Sequence, residues 1–159
     1  MRKVFLALII AAISTTAAFA QNQVNKNTPT GSWIGVVTAG PGGPPPFRVL
    51  VNFTADGGFT GSGDGDSFAG GSPQYGVWER VGGANSRRFA ATFLQLFYDA
   101  NSNATLLGKV RQTVILDKSG NAWQGPGIVD LFAPDGSLIF SGTATATATR
   151  IQSEPLSAY

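Results

Sequence analysis

Residues Thr143 to Thr149 read Thr-Ala-Thr-Ala-Thr-Ala-Thr. A strict period of two is the repeat of a pleated strand, whose successive side chains point to opposite faces. A helix would scatter both residue types around its axis. Threonine, branched at Cβ, also favours strands. This segment is therefore a strand with one threonine face and one alanine face. The text from Gly31 onwards has the same character: short β-type runs broken by Gly, Pro, Asn and Asp, with no helical period. The runs predict strands over 32–39, 47–54, a short one from Phe59, then 74–80, 87–98, 104–116, 121–132 and 137–151. Gly40 to Pro46 is a loop, and Ala55-Asp56-Gly57-Gly58 and Pro134-Asp135-Gly136 are tight turns. Eight strands joined mostly by tight turns form a meander. With no helix to cover its edges, a meander removes them by closing. The expected fold is all-β, a single antiparallel up-and-down eight-stranded barrel. A two-sheet β-sandwich is the alternative.

The ends of the chain have a different composition. Met1-Arg2-Lys3 is a basic start, Val4 to Ile13 is apolar, and Ala18-Phe19-Ala20 is a small-x-small cleavage signal. Residues 1–20 thus read as a secretory signal peptide, too short in its apolar run to anchor in a bilayer. Residues 21–30 are polar and read as a disordered leader, 31–151 as the barrel, and 152–159 as a C-terminal tail. Losing Arg2 and Lys3 takes the 11 basic residues to 9, against 9 acidic ones, so the net charge falls from +2 to zero. A neutral chain offers no nucleic-acid surface, despite a full-length pI near 9.2. There is no Cys and no His. Thiol chemistry, disulfides, ordinary zinc sites and imidazole-dependent catalysis are excluded. The expected location is secreted or periplasmic, with a fold held by packing alone.

Gly31-Ser32-Trp33 opens the first strand and Arg150 ends the last. This pairing resembles the calycin pattern, of which lipocalins are the best-known members. There a Gly-x-Trp starts strand one, and an arginine from the final strand packs over the indole. The resemblance implies that Trp33 and Arg150 close the barrel floor. The chain is also similar to other small exported barrels, the allene-oxide-cyclase-like group among them.

If Trp33 and Arg150 point inward, the period of two propagates the assignment. Phe47, Val49, Val51 and Phe53 face the lumen from the second strand, and Phe89, Ala91, Phe93, Gln95 and Phe97 from the fifth. Leu106, Gly108, Val110, Gln112, Val114 and Leu116 do so from the sixth, and Leu138, Phe140, Gly142, Ala144, Ala146 and Ala148 from the eighth. Arg48, Lys109, Arg111 and the threonines then face outward. An outer-membrane barrel has the reverse polarity, so no membrane insertion is expected. Small residues on the eighth strand leave room either for a ligand or for the opposing phenylalanines.

Three functional readings follow. The first is an exported small-molecule-binding barrel holding an apolar ligand, with Phe93, Gln95, Phe97, Val110, Gln112, Phe140, Ala144 and Ala146 lining the site. The second is a cyclase or isomerase working by positioning in a pre-shaped apolar cavity. The third is a structural barrel with a filled core. Gln95 and Gln112 either orient a ligand or bond to each other or to buried water. Tyr75, Trp78, Glu79 and Asp130 are candidates for a mouth, where an acid would serve as a general base; with no second titratable partner beside them, a surface position is the favoured reading. Asp64 and Asp66, in the loop 61–67, invite calcium, but Tyr75 stands where an EF-hand needs its closing Glu. A lid or plain connection fits that loop better. No metal and no cofactor are expected. The sequence leaves the oligomeric state open.

Overall fold

The computed structural model describes residues 26–64, 66 and 70–154. The expected signal peptide, the first half of the leader and the end of the tail lie outside that range. Eight strands follow one another: β1 Gly31–Ala39, β2 Phe47–Phe53, β3 Gly58–Gly63, β4 Gln74–Val81, β5 Arg88–Tyr98, β6 Ala104–Leu116, β7 Ala122–Phe132 and β8 Leu138–Arg150. Each pairs antiparallel with the next, and β1 pairs antiparallel with β8, so the sheet is a closed barrel in chain order. Closure rules out the sandwich and leaves no free edge.

The turns explain why consecutive strands pair. Four hairpins place an aspartate where its carboxylate caps the turn. Asp56 accepts from the Thr54 hydroxyl. Asp99 accepts from the Asn101 and Asn103 amides at 2.8 and 2.9 Å. Asp117 accepts from Ser119 Oγ at 2.6 Å and the Asn121 amide at 3.1 Å. Asp135 accepts from the Ser137 amide at 2.9 Å. Gly57, Gly120 and Gly136 supply the positive φ that three of these turns need.

The expected inward faces hold along β2, β5 and β6 and along β8 from Phe140 to Arg150. In β8 the threonines are exposed, Ala144 is half-buried, and Ala146 and Ala148 are buried. Leu138 is a correction. A register shift between Leu131 and Phe132 pairs Leu138 with Phe132, whose partner on β6 is the outward-facing Leu107. Leu138 therefore leaves the inward set and is 57% exposed. A second shift, between Phe97 and Tyr98, marks the same end of β5. Both lie at the mouth, where ladders end and bulges are cheapest.

Candidate functional site

The floor is built first, by aromatic side chains that cross the lumen. Trp33 is fully buried, with the Arg150 guanidinium 4.1 Å from its ring centre. The strand register sets these two directly opposite each other, as the calycin resemblance implies. Such a stacked cation contributes about 0.5–2 kcal/mol. Trp123 on β7 reaches across to meet Trp33 and Phe53 edge-to-face at 6.5 and 6.4 Å. Phe53 in turn meets Phe59 and Trp78, and Trp78 meets Phe89. The small residues flanking Trp123, with Ala148 opposite it and Gly125 and Ala146 in the next row, are the room this indole uses. Trp123 Nε1 is buried and has no hydrogen-bond partner among the described residues.

Residues Lys26 to Thr30 lie beneath this floor, although the composition placed them in a disordered leader. Arg150 donates to the carbonyls of Thr28 at 3.1 Å, Gly120 at 3.0 Å and Thr30. Trp33 Nε1 donates to the Pro29 carbonyl at 2.7 Å, and Arg80 Nη2 to that of Asn27 at 3.0 Å. Burial pushes the Arg150 pKa below its ordinary value, and the three carbonyls compensate the desolvated charge. The segment thus contributes backbone acceptors, which no apolar period reveals. Arg80, stacked 4.7 Å from the centre of Phe89, is a second floor cation that the sequence reading did not single out. Its inward parity on β4 was the available signal.

Above the floor the packing changes. Val49, Val51, Phe53, Phe59, Phe89, Val114 and Leu116 all point inward and are buried. Phe47, Phe93, Phe97, Val110, Val129 and Leu131 also point inward, yet are only half-buried. Toward the mouth the inward side chains are therefore less completely packed than those below. Phe93 is the boundary, stacked on Phe59 at 4.4 Å between ring centres.

All eight expected lining residues face this lumen, at different heights. Phe93 and Val110 are cross-strand partners. Ala144 and Gln112 flank Gly127 in one row. Ala146 lies lower, in the buried core cluster. Phe97 is near the mouth, and Phe140 is at it, 49% exposed, with its ring folded over Gly142.

The two glutamines do not bond to each other. Gln112 Nε2 donates to the carbonyls of Thr113, Gly125 and Pro126 at 2.7, 2.9 and 3.1 Å. Pro126 has no N–H and lies where the β6–β7 pairing is interrupted between Gln112 and Ile115, and the Gln112 amide donates to carbonyls of both strands there. Gln95 is buried and donates to Asp66 Oδ1 at 2.8 Å and to the Ser72 carbonyl at 2.9 Å. Gln74 Nε2 lies 3.5 Å from Gln95 Oε1.

Of the other candidates for the mouth, Tyr75, Glu79 and Asp130 take the surface position that the sequence favoured, and Trp78 lies away from the mouth. Tyr75 and Glu79 point outward on β4, at opposite parity to Gln74 and Trp78. Trp78 faces inward but belongs to the floor, donating to the Thr54 carbonyl at 2.9 Å. Asp130 faces outward, where Ser141 Oγ at 2.7 Å and Arg111 Nη2 at 2.6 Å hold it. These bonds, with Ser141 the larger influence, keep its carboxyl below the usual range. Asp64 pairs with Arg48 at 3.1 Å, and Asp66 is bonded to Gln95. Each loop carboxylate therefore has a protein partner rather than facing the other.

Two open grooves, of about 690 and 670 Å³, lie on the outer wall between rows of outward side chains. Thr38, Thr143 and Ile128 border the first, and Ile34, Thr147 and Gln124 the second. Neither is the lumen. Among the described residues, no helix is long and apolar enough to cross a membrane. The chain matches no known protein family, no curated protein and no solved structure at a significant level.

Proposed function

We propose that this is an exported, calycin-type barrel that holds a small apolar molecule in the mouth half of its lumen. One observation carries the reading: the change from buried to half-buried inward side chains above Phe59 and Phe93. Below that level aromatic rings fill the barrel. Above it, Phe47, Phe97, Val110, Val129 and Leu131 present apolar surface to an opening, the usual composition of a small-molecule site. A barrel serving structure alone has no use for that exposed apolar lining, because filling it would add stability. The calycin assignment rests on the floor, where Gly31, Trp33 and Arg150 meet as the resemblance implies.

The test uses Ala144, half-buried on the lumen wall. Ala144→Phe should fill the space above Trp123 while leaving the floor intact. The wild-type protein should bind 1-octanol, read by quenching or shift of the Trp78 and Trp123 emission. The variant should lose that binding at an unchanged melting temperature. Equal binding by both proteins would place the probe outside the lumen and refute the reading.

A further inference from the structure

The polar end of the lumen is asymmetric in its hydrogen bonding, and the asymmetry names a ligand class. Among the described residues, all but one of the donors there have a protein acceptor; the second N–H of the Gln74 amide has none. Gln95 Nε2 spends its two hydrogens on Asp66 and the Ser72 carbonyl. Gln74 Nε2 points to Gln95 Oε1, and Ser72 Oγ donates to the Pro73 carbonyl at 2.7 Å. The capacity left over is mostly acceptor. Gln74 is 7% exposed, yet its Oε1 accepts no hydrogen bond from any described residue and lies over the bare inner face of Gly61. Asp66 accepts from Gln95 Nε2 on one carboxylate oxygen and from the Gly63 amide, at 2.6 Å, on the other. Each oxygen keeps a free lone-pair direction. Among the described residues, the two ion pairs are Arg48–Asp64 and Arg111–Asp130, and neither involves Asp66. Among the described residues, Asp66 is thus a half-buried carboxylate without a counter-ion, linked through Gln95 to the Gln74 amide, at the rim of an apolar lumen.

A partly buried carboxylate that is hydrogen-bonded but faces no opposite charge is less stable than a paired one, and a ligand that supplies that charge relieves it. We infer that the lumen takes an aliphatic amine: its ammonium donates to Asp66 and Gln74 Oε1, and its chain lies against Phe93, Phe97 and Val110. An ammonium brings three donors and one positive charge, matching an end that offers acceptors and one negative charge. A fatty acid would set carboxylate against carboxylate. A neutral alcohol would use the acceptors but leave the charge uncompensated. The inference rests on the small-molecule reading above and adds the head group to it.

The experiment is calorimetric titration of the mature protein with octylammonium, 1-octanol and octanoate at neutral pH. The three share a chain and differ only in the head. Octylammonium should bind about ten-fold or more tighter than octanoate, the scale of one charge-assisted hydrogen bond. Asp66→Asn should remove that preference and leave 1-octanol within about two-fold of wild type, a change below half a kcal/mol. If octanoate or 1-octanol binds wild type as tightly as the amine does, the head-group inference falls and the lumen reading stands. If none of the three binds, both fall. The wild-type comparison decides even if the variant fails to fold.

Discussion

At the residue scale, the floor shows what a two-letter motif does physically. Gly31 has φ +121°, and a Cβ there would sit 2.8 Å from Arg150 Nη1. The glycine is needed twice, for the turn of the backbone and for the approach of the guanidinium. Trp33→Ala should cost about 3–5 kcal/mol, as for a large aromatic removed from a core. Arg150→Ala should also destabilise, because it removes the stacked cation and leaves three carbonyls without their donor. In a double-mutant cycle by denaturant melts, the two losses should fall short of adding, since the groups touch. Additive losses would mean that the contact is energetically idle. The residues of this contact were legible in the sequence because a recurring motif marks them. The partners of Arg150 were not: Thr28 and Thr30 take part through backbone carbonyls, which any residue carries.

At the element scale, alternation and turn chemistry made the strands legible to within about one residue of each end, except that β3 continues to Gly63 through glycine-rich text read as loop from Gly61. The β8 repeat separates its two faces in a form that mutation can read. Thr145→Lys adds an exposed charge and should change stability by less than about 0.5 kcal/mol. Ala146→Lys places a charge opposite Val37 within the buried core and should unfold or badly destabilise the chain. Similar melting temperatures for the two variants would reverse the face assignment. The turns carry a second prediction. The Ser119 hydroxyl, with the Ala122, Ser119 and Gly120 amides, holds the Asp117 carboxyl down to about 2. Asp56, Asp99 and Asp135 are lowered in the same way, chiefly by Thr54, Asn103 and Ser137 respectively. A carboxyl with a depressed folded pKa contributes stability that is complete above its unfolded value, near 4, and is lost as pH falls toward 2. Thermal melts should therefore drop between pH 4 and 2, and Asp117→Asn should flatten part of that drop. A melting temperature constant across this range would refute the role of these caps. The bulges at Phe97/Tyr98 and Leu131/Phe132 were not legible. They depend on how neighbouring ladders run out at the rim, so the position of Leu138 could not be read from parity.

At the scale of the whole molecule, periodicity says which way a side chain faces but not how far its opposite number reaches. The alanine wall of β8 was compatible with a hollow barrel and with a filled one. The structure fills the lower lumen and packs the inward side chains near the mouth less completely. Trp123 and Phe53 meet across the lower lumen, while the inward residues nearer the mouth stay accessible. The sequence carried the barrel and its faces. The division of its interior arises from contacts between strands distant in the chain, such as β2 with β7. Asp66 was read as part of a loop, and only its bond to Gln95 brings it to the lumen. The most direct test of a floor that is plugged and a mouth that is open is a crystal structure of the mature protein grown with 1-octanol. The account predicts an alkyl chain in the lumen, bounded below by Phe93 and Trp123 and at the side by Val110 and Ala144. A lumen in which Phe47, Phe93 and Phe97 meet across the barrel, with octanol seated only in the outer grooves, would contradict it.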